Sequence, residues 1–233
     1  MRIPLRFGAL GPRAIALWAG RNLRLRVEGA GNVPLEGPAL IAARHYHHLY
    51  DGAALILGLH RMIHIFVALD WVKNERERKL MEWACDAARW PVALRAQQVP
   101  DGARSGRGAY ASEEVLRYVR RSLATAGELL REGRVVAVFP EGFPTIEPGE
   151  RRTRADGELL AFAAGFTSIA QLAQRGGRPA VPIVPAGLEY HRAGAGYDVT
   201  LRFGEPLFFD GTLSREQAVR WIETRVRALS GLA

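Results

Sequence analysis

Short apolar runs alternate with longer amphipathic segments along the chain, and this alternation limits the folds that the sequence can adopt. Apolar runs predict strands at residues 25–28, 39–43, 63–69, 91–94, 135–139, 180–185 and 197–203. Helical periodicity predicts helices at residues 51–59, 74–88, 115–130, 158–175 and 214–229. Parallel strands need a crossover connection, which is usually a helix. The pattern therefore predicts an α/β fold: a single domain with a largely parallel central sheet flanked by helices.

Arginine dominates the positive charge of the chain. Of 32 basic residues only Lys73 and Lys79 are lysines, and 24 acidic residues leave a net charge of +8. The guanidinium group binds phosphate through two hydrogen bonds, so such a surface favours anionic lipid headgroups, phosphorylated substrates or nucleic acid. An arginine-rich genome explains the same composition, which therefore does not rank these partners. The single cysteine, Cys85, excludes an internal disulfide framework and suits a reducing, cytoplasmic compartment.

The first 24 residues mix large apolar side chains, such as Leu17 and Trp18, with five arginines. A segment of this kind suits a membrane interface, where apolar groups enter the acyl boundary and arginines meet lipid phosphates. Gly8, Gly11 and Pro12 interrupt the pattern, so an ordinary packed N-terminal helix remains an equal alternative. No stretch approaches the ~20 apolar residues that cross a bilayer. These features divide the chain into an interfacial segment at 1–24 and a folded domain at 25–233.

Three of the six histidines lie close together after the second predicted strand. His45, His47 and His48 are followed by Asp51 at the start of a predicted helix. A carboxylate that holds an imidazole fixes its tautomer and stabilises the imidazolium, which makes the pair a general base. His47 and Asp51 share a helix face, whereas His45 reaches Asp51 by folding back from the strand end. Helix capping by the histidines and a zinc or iron site are the alternatives.

Other candidate residues follow other predicted strands. Glu141 and Gly142 belong to a Phe-Pro-Glu-Gly stretch at the end of the strand at 135–139, which is a usual position for active-site groups. Arg95 follows the short strand at 91–94 and could direct its guanidinium at a phosphate. Pro185 ends the strand predicted at 180–185. A strand-terminating turn, a surface arginine and a strand-ending proline are the structural alternatives for these three features.

The order and spacing of these motifs resemble the lysophospholipid and 1-acyl-glycerol-3-phosphate acyltransferase family over about residues 25–205, in the folded domain at 25–233. The family pattern begins with a His-(any four)-Asp box. An arginine after a proline-valine strand comes next and is matched here by Arg95. Phe-Pro-Glu-Gly is matched by residues 139–142, and Val-Pro-X-X-Pro by residues 181–185. Two features depart from it. Five residues separate His45 from Asp51, and Phe143-Pro144 replaces the common Thr-Arg or Ser-Arg. Arg151, Arg152 or Arg154 could supply the missing phosphate contact.

The resemblance implies a role for each candidate residue. His45 or His47 would remove the proton of an acceptor hydroxyl, and Asp51 would orient that imidazole. Arg95, Glu141 and Gly142 would hold the acceptor headgroup, while the region of Pro185 would help to form the acyl or donor site. The acceptor would be a lysophospholipid or a glycerol phosphate.

The resemblance also implies an acyl thioester donor, acyl-CoA or acyl carrier protein, and neither a metal nor a redox cofactor. It places the protein at an anionic membrane surface, peripherally on the cytoplasmic face or otherwise in the cytoplasm, with no nucleic-acid partner. A family member that acylates a non-phosphate acceptor is one alternative. A basic membrane- or nucleic-acid-binding module with a vestigial site is another.

Overall fold

The computed structural model describes residues 5–95, 109–210 and 212–232. The helices are α1 (Leu5–Ala19), α2 (Tyr50–Gly58), α3 (Glu75–Ala88), α4 (Ser112–Arg131), α5 (Gly165–Gln174) and α6 (Arg215–Leu229). The strands are β1 (Leu23–Glu28), β2 (Ala39–Ala43), β3 (Ile63–Ile65), β4 (Val67–Ala68), β5 (Val92–Ala93), β6 (Val135–Val138), β7 (Ile146–Glu147), β8 (Arg151–Arg152), β9 (Pro182–Ala193), β10 (Gly196–Phe203) and β11 (Leu207–Phe208).

The main sheet has seven strands in the order β1-β10-β9-β2-β6-β3, with β11 added alongside β9. The pairs β1–β10, β2–β9, β2–β6 and β3–β6 are parallel. Only β9–β10 and β9–β11 are antiparallel within this sheet. The predicted α/β fold with a largely parallel central sheet flanked by helices is therefore confirmed.

Both faces of the sheet are covered, as a parallel sheet requires. Strand β2 shows this most clearly, because all five of its residues are buried. Ile41 and its alternate neighbours pack with Leu55 of α2 on one face. Leu40 and Ala42 pack on the other face with Leu129 of α4 and with residues of α5 and α6. The strand ends that carry the candidate residues are thus fixed by a core on each side.

The strand predicted at 63–69 is two strands in different sheets. The amide of Phe66 still donates to Ala137 in the main sheet, at 3.0 Å. The next amide, of Val67, donates to Pro91 at 2.9 Å, and β4 then pairs with β5 in a separate two-stranded sheet. This change of partner moves the chain out of the main sheet and places residues 91–95 beside residues 67–70.

The helix predicted at 158–175 begins only at Gly165. Carboxylates from elsewhere in the chain bind the amides before it. The amide of Leu160 donates to Glu141 Oε2 at 3.1 Å, and the amide of Phe162 donates to Glu223 Oε2 at 2.8 Å. The amide of Ala163 likewise donates to Pro140 O at 3.0 Å, so three amides in this stretch have long-range partners in place of helical ones, which helical periodicity does not reveal.

The end of one predicted strand needs correction. The strand predicted at 180–185 continues as β9 to Ala193, so Pro185 lies inside a strand and does not end it. Between the strand predicted at 135–139 and α5, the chain also forms a small hairpin, in which β7 pairs with β8.

Helix α1 packs one face against α2, where Ala16 and Ala19 contact Ala53. Its other face carries Ile15, Leu17 and Trp18, which are 55–60% exposed. The segment is thus a packed helix that also presents an apolar surface. Within the three described ranges, none of the helices combines the length and apolar composition needed to cross a membrane.

Candidate active site

The His box and the Phe-Pro-Glu-Gly motif meet at one edge of the sheet. His45 follows β2 and Glu141 follows β6, and these two strands are parallel neighbours. Since parallel strands end at the same edge, both residues emerge side by side. The amide of His45 donates to Glu141 Oε1 at 2.6 Å. A direct hydrogen bond therefore joins two motifs that lie almost a hundred residues apart.

His45 forms the imidazole–carboxylate pair. Its Nδ1 lies 2.9 Å from Oδ2 of Asp51, which is fully buried in the first turn of α2. An ionised carboxylate only accepts, so Nδ1 carries the proton and Nε2 keeps its lone pair. The ring stacks on Phe139 with centroids 4.3 Å apart, and its side chain is 15% exposed. The orientation of the ring is thus fixed from two sides.

An extended stretch accommodates the extra residue between His45 and Asp51. Residues 45–48 run alongside residues 145–146: Ile146 N donates to Tyr46 O at 2.7 Å, and His48 N donates to Ile146 O at 3.0 Å. Helix α2 starts only after this pairing, at Tyr50. The additional residue therefore lengthens the extended segment, and His45 still reaches Asp51.

His47 has a different environment. Its Nδ1 accepts from the amides of Leu49 and Tyr50, at 3.2 and 3.3 Å, so it binds donors at the start of α2. Its side chain is buried, and burial lowers its pKa. Its backbone amide, and not its ring, donates to Asp51 Oδ2 at 2.9 Å. The geometry of His47 matches the capping alternative.

A metal site was the other alternative for the histidines. The described part of the chain contains no group of three or more His, Cys, Asp or Glu side chains that could hold a metal ion. The three neighbouring histidines instead have separate partners, since the third, His48, contacts the carbonyl of Ile146 through its Nδ1 at 3.3 Å.

Glu141 is a buried acceptor for several donors. Besides the amides of His45 and Leu160, Arg154 donates to its Oε2 at 2.6 Å. The same guanidinium nitrogen contacts the carbonyl oxygens of His45 at 3.1 Å and Phe143 at 2.9 Å. Burial raises the pKa of the Glu141 carboxyl, while these donors act in the opposite direction. Arg154, one of the arginines proposed for a phosphate contact, therefore forms an ion pair with Glu141.

Arg95 lies beside the glycine of the Phe-Pro-Glu-Gly motif. Its Nη1 donates to Gly142 O at 3.2 Å, and its guanidinium stacks on the Phe143 ring at 4.4 Å from the centroid. Gly142 has φ of 76°, a conformation that favours glycine. Arg95 also donates through Nε and Nη2 to Asp70, whose side chain is almost fully buried. Asp70 comes shortly after the end of β4, just as Glu141 comes shortly after the end of β6. An acidic residue after a predicted strand is the sequence signal that would have identified Asp70.

Pro185 lies within a strand of the main sheet, whereas His45, Glu141 and Arg95 follow strand ends. It is buried in β9, in register with Ala42 of β2. Its carbonyl accepts from Gly204, where the antiparallel neighbour of β9 changes from β10 to β11. A proline is tolerated there because the regular ladder is interrupted on that side. Pro185 thus belongs to the sheet beneath the site, and not to the group formed by His45, Asp51, Glu141, Gly142 and Arg95.

The family model described as acyltransferase matches residues 24–189, which include every candidate residue described above. The chain belongs to the acyltransferase family. The predicted family and the predicted enzyme class, an O-acyltransferase, are confirmed. Among solved structures, the chain is similar to the 1-acyl-sn-glycerophosphate acyltransferase PlsC from Thermotoga maritima, with a TM-score of 0.60 and 19% identity over 100% of this chain and 83% of that one. This likeness supports the fold of the acyltransferase. No curated protein sequence matched the chain.

Proposed function

We propose that the acyltransferase moves a fatty acyl group from an acyl thioester, acyl-CoA or acyl carrier protein, to the hydroxyl of a lysophospholipid-type acceptor such as 1-acyl-glycerol-3-phosphate. The observation that carries the proposal is the bond between His45 Nδ1 and Asp51 Oδ2 at 2.9 Å, beside Glu141 of the Phe-Pro-Glu-Gly motif. This arrangement leaves one ring nitrogen of His45 as a base.

In the proposed reaction, His45 Nε2 removes the proton of the acceptor hydroxyl as its oxygen attacks the thioester carbonyl. The new C–O bond forms, the C–S bond breaks, and the thiolate leaves with the bonding electrons. The imidazolium then returns its proton to the thiolate, so the enzyme is regenerated without a covalent intermediate. Asp51, fully buried against the imidazole, stabilises the positive charge during this step.

The acceptor headgroup is proposed to bind at Arg95, Glu141 and Gly142. Two of the Arg95 nitrogens hold Asp70, and Nη1 faces the carbonyl of Gly142. This pairing preorganises the guanidinium, which retains further N–H groups for an anionic headgroup. Glu141 supports the site indirectly, because its carboxylate fixes the backbone of His45.

The direct test is release of free thiol by the purified protein. With acyl-CoA or acyl carrier protein as donor, we expect thiol release only when a lysophospholipid is added, together with formation of the diacyl product. Lysophosphatidic acid, lysophospholipids with larger headgroups, and long-chain alcohols without phosphate serve as parallel acceptors. A basic binding module would release no thiol with any of them, and that result would contradict the proposal.

Substitution of Arg95 tests the headgroup assignment. We expect Arg95→Ala to raise the KM for the acceptor about tenfold or more, because one charged hydrogen bond is worth about 1.5–3 kcal/mol. The KM for the donor should change little. Steady-state kinetics with each substrate varied in turn measures both values. Arg121→Ala, which removes an exposed arginine from α4, is the control; equal effects of the two variants would contradict the assignment.

Membrane association is proposed from the surface of α1 and α3, which contact each other. Leu17 and Trp18 of α1 and Leu80 and Trp83 of α3 are each 58–62% exposed. We define these four side chains as the apolar patch. Together with the net charge of +8 it supports peripheral binding to anionic lipid, with the cytoplasmic face as the proposed location.

Liposome binding tests the apolar patch. We expect the double variant Trp18→Glu/Trp83→Glu to weaken binding to anionic vesicles about tenfold or more, because two large aromatic groups lose burial and two negative charges are added. Co-sedimentation across a range of lipid concentrations measures the change. Phe208→Glu, at a 53% exposed position in β11, is the control. Unchanged binding by the double variant would show that another surface meets the membrane.

A further inference from the structure

The two oxygens of Asp51 have different partners. Oδ2 accepts from His45 Nδ1 and from the amide of His47, each at 2.9 Å. Oδ1 accepts from the hydroxyl of Tyr190 at 2.6 Å. Rotation about the Cβ–Cγ bond moves both carboxylate oxygens, so a donor on each oxygen opposes it. The Tyr190 hydroxyl therefore adds a restraint on the plane of the Asp51 carboxylate that the two donors to Oδ2 do not supply.

Tyr190 is itself held in place. It lies in the middle of the β9–β10 pairing, in register with Val199. Its ring stacks on Tyr46 with centroids 4.4 Å apart and meets the edge of Tyr197 at 5.6 Å. The Tyr46 hydroxyl is bound separately, to Asp156 Oδ1 at 2.6 Å. Two neighbouring tyrosines thus each donate to a carboxylate, but only one of those carboxylates contacts His45.

We infer that Tyr190 is a positioning residue of the acyl-transfer reaction, which acts by holding Asp51 in the orientation that directs His45 towards the acceptor hydroxyl. This inference rests on the proposed function of His45 and Asp51. Tyr190 lies one residue beyond the range 24–189 matched by the family model, and it belongs to none of the motifs found in the sequence.

The hydroxyl of Tyr190 also affects the charge of Asp51. Burial raises the pKa of Tyr190 well above its ordinary value, so the hydroxyl remains a neutral donor. Such a donor withdraws charge from the carboxylate and weakens its hold on an imidazolium. Without the hydroxyl, the Asp51 carboxylate would attract an imidazolium more strongly than it does with Oδ1 engaged. Other charged or titratable groups near His45, Asp51 and Tyr190 are Arg44, Tyr46, His47, His48, Glu141, Glu150, Arg154 and Tyr197.

The test compares Tyr190→Phe with Tyr46→Phe, since each removes one hydroxyl that donates to a carboxylate within the same aromatic stack. We expect Tyr190→Phe to lower kcat about tenfold to a hundredfold, with the acceptor KM nearly unchanged. The acid limb of its pH–rate profile should move to higher pH. Tyr46→Phe should retain the pH profile of the unsubstituted protein. Equal losses in the two variants, with no movement of the profile, would overturn the inference.

A double-mutant cycle with Asp51→Asn provides a second measurement. If Tyr190 acts through Asp51, the double variant should be no slower than Asp51→Asn alone. Multiplied losses would show that Tyr190 acts independently and would overturn the inference. Failure of the proposed function has a different signature: the unsubstituted protein would release no thiol with any acceptor, or His45→Ala would keep full activity. Either result would remove the role of Tyr190 as well.

Discussion

Replacement of His45 by alanine should lower kcat for acyl transfer by about 10²–10⁴-fold, the usual contribution of a general base. The expectation rests on geometry: Asp51 binds Nδ1 at 2.9 Å, and the ring stacks on Phe139. The variant loses the base but keeps the backbone amide of His45 that binds Glu141. Its KM values should therefore stay close to those of the unsubstituted protein. Steady-state thiol release, with folding checked by circular dichroism, measures the effect.

His47→Ala separates the two candidate bases. It should cost about 1 kcal/mol of stability, because the amides of Leu49 and Tyr50 lose their acceptor, and it should leave most of the activity intact. His60→Ala, at an exposed position outside the site, should change neither property. A larger loss of kcat in His47→Ala than in His45→Ala would assign the base to His47.

Asp51→Asn is expected to lower kcat by about 10²–10⁴-fold, although it replaces only one carboxylate oxygen by an NH2 group. The side-chain amide of asparagine presents a donor where Asp51 accepts from the His45 ring, the His47 amide or the Tyr190 hydroxyl. The imidazole would then lose the partner that fixes its tautomer. Buried donors without acceptors should also lower the free energy of unfolding by about 1–3 kcal/mol.

Two measurements separate these effects: kcat at a temperature where the variant is folded, and the midpoint of thermal unfolding. Asp156→Asn is the matched control, because Asp156 accepts from Tyr46 as Asp51 accepts from Tyr190. It should keep most of the activity. If Asp51→Asn lost stability but no activity, Asp51 would be a structural residue and the proposed base would act without it.

The sequence predicted those parts of the fold that depend on local patterns. Buried strands such as β2 and β6 are continuous apolar runs, and the last helix begins with the Ser214–Gln217 capping box that the structure contains. The meeting of His45 and Glu141 also follows from general rules, since both residues come after parallel strands. Their roles in the reaction remain a prediction.

Long-range contacts explain what the sequence did not predict. Helix α5 starts late because Glu141 and Glu223 bind amides between 158 and 164. Asp70 meets Arg95 because the chain leaves the main sheet after β3. Tyr190 reaches Asp51 across 139 residues, from a strand whose local pattern shows only a buried β-strand. None of these partners is encoded by neighbouring residues.

The position of Glu141 matters for any attempt to build chimeras of this enzyme. Its carboxylate binds the amides of His45 and Leu160 and the guanidinium of Arg154, so three separate stretches of chain meet at one side chain. A graft that exchanged only 139–142 with another family member would keep the motif but change the backbone that presents it. A chimera should therefore exchange residues 139–160 together with the segment after β2 that contains His45.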